Sequence, residues 1–457
     1  MEPNKEEPNL YYKLPSMEPK LWDYILETLS GPIPDFEALV STICSLTKHQ
    51  KPKPPIIPDK WDPLKVAITE MNTLFPDFKF YENLLPKLQQ CCLEMPELFK
   101  ENGQKIAILP KNIDSKVKLS GKQMRCILSH AFFNTMNTYI EQNTNIKFQT
   151  SFGDISFLNL YYKYCFESVE RLKCLFFYFY EVFQEEPKEE ILFIRRSLEK
   201  IPPPDWKISE TPIIHDVFIS EQRKIEDSNA FLHVDFANQN LMIHKIIPSL
   251  TQEEILFSLR PALFVSMLLS ETMQKNEAIF MFGCKRYCNY KGYLESFRFD
   301  GPYEERKNEK IISGIIAIDS IVNFSLGNCQ FQKESIIRDL NKAYLGFFGV
   351  EKEEKGFKES SLDFNKISTG NWGCGAFGGD YILKFIQQVM AANEAKKTMD
   401  YSTFGNKEIC STLRQIYYRM IELKLQVKDL FEILDGYKGK GTMEFHFYVK
   451  KKLKLVE

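Results

Sequence analysis

The sequence lacks the marks of a metalloprotein or a disulfide-stabilised secreted protein. Its 457 residues include eleven cysteines, but no CxxC pair, and six histidines. Cys284 and Cys288 are four residues apart, and no histidine cluster completes a zinc-ligand set with them. We therefore predict no metal site, no cofactor, and reduced cysteines of the kind found in cytoplasmic or nuclear proteins.

Long apolar segments and a strong net charge are also missing. The longest apolar run, Leu172–Phe183, contains Lys173 and Glu181 and is too short to cross a bilayer. The N-terminal segment is polar and acidic, unlike a secretory signal. The net charge of −2 gives no general attraction to nucleic acid, so a polyanion would need a local positive site. We expect a soluble intracellular protein with no membrane partner and no direct contact with DNA.

The first 204 residues are predicted to form an all-helical region. Apolar residues recur there at three- and four-residue spacing. Ser120 and Gln123 fit a capping box at the start of one helix. The proline-rich segment Lys51–Pro58 is expected to be a stiff spacer. The predicted helices are Leu21–Leu29, Phe36–Leu46, Trp61–Leu74, Asn83–Leu98 and one beginning after Ser120.

After Pro202–Pro204 the pattern changes to short apolar runs that alternate with helical segments. This alternation predicts an α/β core, residues 205–440, with helices on both faces of a sheet. In the lysine-rich tail, residues 441–457, apolar residues alternate with lysines over Phe445–Val456, which favours an exposed edge strand. The predicted strands are His215–Ser220, Phe231–Ala237, Ala278–Phe282 and Ile311–Ile321, and the predicted helices are Gln252–Leu259, Glu334–Leu345 and Asp380–Ala391.

Two segments could carry chemistry. The acidic cluster Gln252–Glu254 follows Thr251, and Thr-x-x-Glu is a common helix cap. Alternatively, Glu254 is a general acid/base for cleavage of a glycosidic bond. The loop Thr369–Asp380 has five glycines in twelve residues, so it is either a structural turn or a site where backbone N–H groups hold phosphate.

Aromatic residues form a third pattern. Tyr287, Tyr290 and Tyr293 recur at three-residue spacing, and Phe404 lies further along the chain. A tyrosine beside Gly292 could stack on a nucleobase, although aromatic stripes more often belong to a core. Spacing alone does not choose between these two roles.

Taken together, these segments resemble the catalytic region of the poly(ADP-ribose) glycohydrolase family. The similarity extends over about residues 10–435, and the last twenty residues match none of its motifs. The matching segments are LSHAFFNT (Leu128–Thr135), IED (Ile225–Asp227), VDFAN (Val234–Asn238), QEE (Gln252–Glu254), NYKGYLESFRF (Asn289–Phe299), AIDS (Ala317–Ser320), LNKAYLGF (Leu340–Phe347), TGNWGCGAFGGD (Thr369–Asp380) and STFG (Ser402–Gly405).

The resemblance implies a macrodomain-like mixed sheet flanked by helices, with a helical N-terminal extension, and hydrolysis of ribose–ribose bonds in poly(ADP-ribose). It implies that Glu254 is the acid/base and that Glu253 and Asn238 hold ribose hydroxyls. Further ligand contacts are implied for Gln252, for Glu226 on adenine, for Tyr293 and Phe404 around the terminal ADP-ribose, and for Gly375, Ala376 and Phe377 at the diphosphate.

The sequence departs from the family at one loop. The family has three consecutive glycines before QEE, and counting back from Glu254 places Met242, Ile243 and His244 there. Side chains resist the left-handed backbone that glycine allows, and β-branched Ile243 resists it most. We therefore expect the first diphosphate loop to be lost and its side chains to fill the phosphate space, unless His244 and Lys245 supply positive charge instead.

Three functions remain open from the sequence. The chain is a catalytically impaired pseudoenzyme that serves as a scaffold for a protein partner, an active poly(ADP-ribose) hydrolase, or a reader that binds ADP-ribose without cleaving it. The altered loop favours the first of these. The binding of ADP-ribose or its polymer depends on whether the cleft is open.

Overall fold

The computed structural model describes residues 10–48, 60–136, 140–142, 153–163, 165–304, 314–323, 329–349, 364–439 and 441–456. The predicted spacer Lys51–Pro58 lies outside these residues. The helices are α1 Pro19–Ser30, α2 Phe36–Lys48, α3 Asp62–Leu74, α4 Leu85–Leu93, α5 Met95–Leu98, α6 Gly121–Phe132, α7 Leu158–Tyr162, α8 Phe166–Val182, α9 Gln252–Leu259, α10 Ser266–Leu269, α11 Lys333–Phe348, α12 Tyr381–Glu394, α13 Lys407–Glu422, α14 Val427–Gly436 and α15 Thr442–Lys452.

The strands lie in one large sheet and two small ones. The strands are β1 Leu10–Lys13, β2 Lys105–Ala107, β3 Ser115–Ser120, β4 Ile140–Gln142, β5 Glu190–Ser197, β6 Val217–Ser220, β7 Leu232–Phe236, β8 Glu277–Phe282, β9 Cys288–Lys291, β10 Arg298–Pro302, β11 Gly314–Ile318, β12 Lys366–Gly370 and β13 Thr398–Ser402. The large sheet has the order β3-β5-β8-β11-β7-β12-β13-β6.

The direction of the strands in the large sheet brings four loops together. Strands β11, β7, β12, β13 and β6 are parallel to one another. Strands β3, β5 and β8 complete the sheet with antiparallel pairs. In parallel sheets, ligands bind in the crevice outside the carboxyl ends of the strands. The segments that follow β7, β11, β12 and β13 all reach that edge.

A hydrophobic core lies on each face of the sheet. Side chains alternate between the faces along a strand. In β8, Ile279 and Met281 therefore join the core shared with the N-terminal helices, α9 and α10. Phe280 and Phe282, between and after them, join the core shared with α11–α15. Within the described ranges, no helix combines the length and the apolar composition that a membrane crossing requires.

The predicted α/β class with a helical N-terminal region is confirmed, but the expectation that this region is all-helical is wrong, because strands β1–β5 lie within it. Apart from the C-terminal tail, the predicted helices and strands form at the expected places with shifted ends, although the predicted helix Asn83–Leu98 divides into α4 and α5. Ser120 caps α6 with Gln123 in a capping box. Strands β3 and β5 were not predicted, although they carry the N-terminal region into the large sheet. The boundaries 1–204, 205–440 and 441–457 stay predictions.

The predicted edge strand over Phe445–Val456 is wrong, because this segment lies mostly in helix α15. Phe445, Val449 and Leu453 recur every four residues and are all buried. Exposed Phe447, between two of them, made the pattern look like strand alternation. Burial of one face of this segment against the rest of the core stabilises the helix.

An ion pair joins β5 of the N-terminal region to β8 of the core. Arg195 and Glu277 are fully buried and paired, and Arg195 also donates to the carbonyl of Glu271. Burial of the Arg195 guanidinium lowers its pKa. Removing one member of such a pair leaves an uncompensated buried charge.

We predict that Arg195→Met lowers the free energy of unfolding by about 3–5 kcal/mol, measured by urea denaturation. Arg195→Met/Glu277→Gln should recover at least half of this loss, because no buried carboxylate is then left unpaired. Equal losses in the two variants would contradict a role of the charge and indicate packing alone.

Candidate active site

Two adjoining cavities lie at the carboxyl edge of the parallel strands. Their volumes are about 290 and 240 Å³. They share a wall, so they form one elongated cleft. The residues that line both are Phe236, Gln252, Tyr293, Asn371 and Gly375.

Most of the predicted ligand contacts line this cleft. Glu226 and Phe404 line the first cavity, together with the shared Gln252, Tyr293 and Gly375. The second cavity is lined on one side by the acidic pair and on the other by the glycine-rich loop. The predicted site residues on its wall are Asn238, Ile243, Glu253, Glu254, Ala376 and Phe377.

The first turn of α9 fixes Glu254 by its own helix cap. The Oε2 atom of Glu254 accepts from the backbone N–H of Thr251 at 2.9 Å and from the Thr251 hydroxyl. The Oε1 atom has no hydrogen-bond partner among the described residues. The carboxylate is buried but lines the second cavity. The cap and the candidate acid/base are therefore the same residue, with one oxygen for each role.

Glu253 binds the backbone before the altered loop and inside it. Its Oε1 atom accepts from the N–H of Met242 at 2.9 Å, and its Oε2 atom accepts from the N–H of Asn238 at 3.3 Å. Gln252 is tied to the end of β7, where its side chain accepts from the N–H of Phe236 and donates to the carbonyl of Val234. All three residues of the QEE segment are thus held in place by hydrogen bonds.

The carboxylates of this region repel one another in a place with little water. Burial raises the pKa of Glu253 well above its ordinary value, and the charges of Asp235 and Glu254 raise it further. Burial and Glu254 likewise raise the pKa of Asp235, whose carboxylate oxygens have no hydrogen-bond partner in the described part of the chain. The cluster therefore favours states that hold a proton.

The loop at residues 241–244 has a left-handed backbone at Met242, Ile243 and His244, although we expected their side chains to prevent this conformation. The φ angles of Met242, Ile243 and His244 are +54°, +53° and +60°. The prediction that side chains would abolish this conformation is wrong. Bonds to the surrounding chain hold the loop: Glu253 accepts from Met242, and the N–H of Asp154 donates to the carbonyl of His244 at 2.8 Å.

Of the three residues that stand where the family has glycines, only Ile243 places its side chain in the cleft. Met242 is completely buried in the core that includes the N-terminal helices. Ile243 is 52% exposed and lines the second cavity. His244 and Lys245 line neither cavity, and burial lowers the pKa of His244, so the imidazole is not the substitute cation considered above. The steric obstacle is confined to Ile243.

An aromatic clamp and an acidic group define the first cavity. The rings of Tyr293 and Phe404 lie 4.8 Å apart at 65°. The hydroxyl of Tyr290 donates to the Glu226 carboxylate, and the Lys224 ammonium lies 3.6 Å from the centre of the Tyr290 ring. Burial and the adjacent Glu226 raise the pKa of Tyr290. This end can receive a flat ring system with polar edges.

The glycine-rich loop approaches the second cavity with its backbone. Gly373 has a φ angle of +73°, and a Cβ atom there would lie 2.1 Å from the Ser320 hydroxyl. At Gly375 a Cβ atom would meet nothing within 4 Å. The loop leads directly into α12, so its N–H groups lie at a helix N-terminus, where anions are favoured.

Comparison with known proteins agrees with this geometry. The model of the poly(ADP-ribose) glycohydrolase macro domain matches residues 203–411, and the model of the helical domain of the same proteins matches residues 77–195. The chain belongs to the poly(ADP-ribose) glycohydrolase family. Both the helical domain and the macro domain fold of this family are therefore present.

Individual relatives show how far the similarity extends. Poly(ADP-ribose) glycohydrolase 1 of Caenorhabditis elegans is 32% identical over 62% of this chain and 37% of its own length. Probable poly(ADP-ribose) glycohydrolase 2 of Arabidopsis thaliana is 27% identical over 78% of both chains. The chain thus spans little more than a third of the worm protein and over three quarters of the plant protein.

Two residues of this family member's site were not predicted from the sequence. Tyr290 belongs to the noted tyrosine pattern, and its position three residues before Tyr293 could have indicated it. Arg171 of α8 is buried and donates to the carbonyls of Ile247 and Ser249 in the loop before QEE. No sequence pattern pointed to Arg171. Within the described residues, no group of His, Cys, Asp or Glu has the arrangement of a metal site.

We predict opposite effects of glycine at two positions of the altered loop. Ile243→Gly should leave stability unchanged or raise it by up to about 1 kcal/mol, because relief of a left-handed conformation (about 1–2 kcal/mol) outweighs the added chain entropy (about 0.5–1 kcal/mol). Met242→Gly should cost at least about 2 kcal/mol, because it empties a buried position. Chemical denaturation measures both. A loss for Ile243→Gly as large as that for Met242→Gly would show that the left-handed backbone carries no strain.

We also predict that the carboxylate cluster lowers the free energy of unfolding by an amount that depends on pH. A raised native pKa means that the folded state binds the proton more tightly than the unfolded state, so stability falls as pH rises above about 4. In Asp235→Asn one carboxylate of the cluster is removed. Its stability relative to the parent should increase from pH 4 to pH 8, measured by thermal unfolding. A pH-independent difference would contradict the coupling.

Proposed function

We propose that this chain binds the terminal ADP-ribose unit of poly(ADP-ribose) and hydrolyses the ribose–ribose bond at a reduced rate. The observation that carries the proposal is the retained left-handed loop beside an open cleft lined by Glu254. Because the backbone keeps its course, the impairment is reduced to the bulk of Ile243. The proposed activity is thus weak and not abolished.

The cleft supports a division of the ligand between its two cavities. Adenine would lie in the first cavity against Tyr293 and Phe404, whose rings contact each other, with Glu226 at its polar edge. Stacking on aromatic rings suits any base, whereas a carboxylate suits the amino group of adenine. The diphosphate would cross the shared wall near Gly375, where an added Cβ would meet no protein atom within 4 Å. The distal ribose would then reach Asn238 and the acidic pair.

Glu254 has the chemistry needed at the scissile bond. Glycoside hydrolysis requires a carboxylic acid that protonates the leaving oxygen while positive charge develops on the sugar. The Glu254 Oε1 atom is available for this proton, because Thr251 binds only Oε2. After the bond breaks, the same carboxylate can take a proton from the attacking water. Glu253 is held by two backbone N–H groups and would orient ribose hydroxyls.

A second candidate is a reader that binds ADP-ribose without turnover. Ile243 favours this candidate, because its side chain lies in the second cavity and would displace the diphosphate from the loop amides. An error of about 1 Å in substrate placement can cost roughly 100-fold in rate. Failure to bind at all would instead favour the pseudoenzyme scaffold.

We predict that the chain releases ADP-ribose from poly(ADP-ribose), and that Glu254→Gln lowers this rate by at least about 100-fold. Gln is the matched substitution, since its amide oxygen can still cap α9. Release is measured on polymer gels, and ADP-ribose affinity by calorimetry. Ile243→Gly should raise kcat/KM by roughly 10–100-fold, because the loop N–H groups regain access to the diphosphate.

The outcomes separate the candidates. Binding with no release in the parent chain or in Ile243→Gly would identify the reader. The absence of binding at millimolar ADP-ribose in both chains would overturn the proposal and leave the scaffold. Release that survives Glu254→Gln would assign the acid/base role to another group.

A further inference from the structure

Helix α15 reaches the glycine-rich loop from beyond the segment that the family models match. The macro domain match ends at residue 411, whereas α15 spans Thr442–Lys452. Its buried residue Phe445 packs against Phe331, with ring centres 4.7 Å apart. The helix is therefore an integral part of the core on this face of the sheet.

One polar side chain of α15 contacts the end of the loop. The Nε2 atom of His446 lies 2.7 Å from the Oδ2 atom of Asp380, whose side chain is fully buried. An ionised carboxylate only accepts hydrogen bonds, so the imidazole donates. The ring of His446 also meets the ring of Tyr381 at 4.8 Å, and Tyr381 lines the first cavity.

Asp380 joins the loop to α12. Its Oδ1 atom accepts from the N–H of Leu383 at 2.9 Å, which caps the helix, and its own N–H donates to Gln330 at 2.7 Å. Gly378 and Gly379 directly precede it. Without His446, the Oδ2 atom of a buried carboxylate would lose its partner, which costs more than an exposed hydrogen bond. The position of Asp380 sets where the preceding loop ends.

We infer that His446 is a positioning residue for the glycine-rich loop and thereby sets the affinity of this chain for the diphosphate of its ligand. This rests on the proposed function for the identity of the ligand. Among the hydrogen-bond and ring partners of His446 in the described part of the chain, only Tyr381 lines a cavity, and the polar contact of His446 is with Asp380, so we expect its action to pass through Asp380. The effect should be larger for diphosphate-containing ligands, because Gly373, Ala376 and Phe377 of the loop line only the second cavity, and smaller for a ligand that fills only the first cavity.

The test compares three variants on α15. His446→Phe keeps the ring against Tyr381 and removes the donor, and His446→Gln keeps a donor near the Nε2 position. Met443→Ala is the control, since Met443 is 79% exposed on the same helix. We expect His446→Phe to weaken ADP-ribose binding about tenfold and adenosine binding less than about twofold. The affinities of His446→Gln and Met443→Ala for both ligands should stay within about twofold of those of the parent chain.

Hydrogen exchange gives a readout that needs no ligand. Amides of residues 371–379 should exchange about tenfold faster in His446→Phe than in the parent, while His446→Gln and the control stay unchanged. Equal loss of adenosine and ADP-ribose binding, or unchanged exchange in His446→Phe, would overturn the positioning role. If the parent chain binds no ADP-ribose, the proposed function fails, and the exchange comparison alone decides the role of His446.

Discussion

The geometry of the site depends on one carboxylate that binds two backbone N–H groups. Glu253 accepts from Asn238, just after strand β7, and from Met242 inside the altered loop. These bonds fix both ends of the short connection that leads from the sheet into the loop. Because the same residue lies in the first turn of α9, beside Glu254, the position of Glu254 is fixed relative to the loop as well. The loop and Glu254, the candidate acid/base, are therefore held in a fixed relation to each other.

This constraint explains how three residues with side chains adopt a backbone that suits glycine. Each left-handed residue costs about 1–2 kcal/mol, and the surrounding bonds must overcome that cost. Met242 also gains from complete burial in the core, whereas Ile243 gains little because it is half exposed. The strain at Ile243 thus has no local compensation. Its side chain also lies where a ligand would need room, so glycine at this position would favour both stability and ligand binding.

Elements from both faces of the sheet support the cleft. On one face, Arg171 of the N-terminal region binds two carbonyls of the loop before QEE. On the other face, His446 of the C-terminal helix binds the residue that ends the glycine-rich loop. The two loops on either side of the ligand space are therefore held by segments far from them in sequence. Such indirect support keeps a site preorganised when its contacting residues vary.

Local patterns were enough to predict the α/β class, about half of the described helices, four strands of the large sheet (β6, β7, β8 and β11) and the two loops that form the cleft. These features follow from residue spacing, caps and glycine content, which act over a few positions. The course of residues 242–244 was mispredicted, because intrinsic preference opposes it and only hydrogen bonds from Glu253 and Asp154 enforce it. The C-terminal segment was assigned to a strand, because only contact with a distant core shows that every fourth residue is buried. Partners such as Arg171 and His446 could not be predicted, since a hydrogen bond between elements depends on where folding places them. The sequence by itself determined the fold class and the chemical groups, whereas the tertiary structure alone decided which side chains line the cleft, because burial and hydrogen bonds between distant segments place them there.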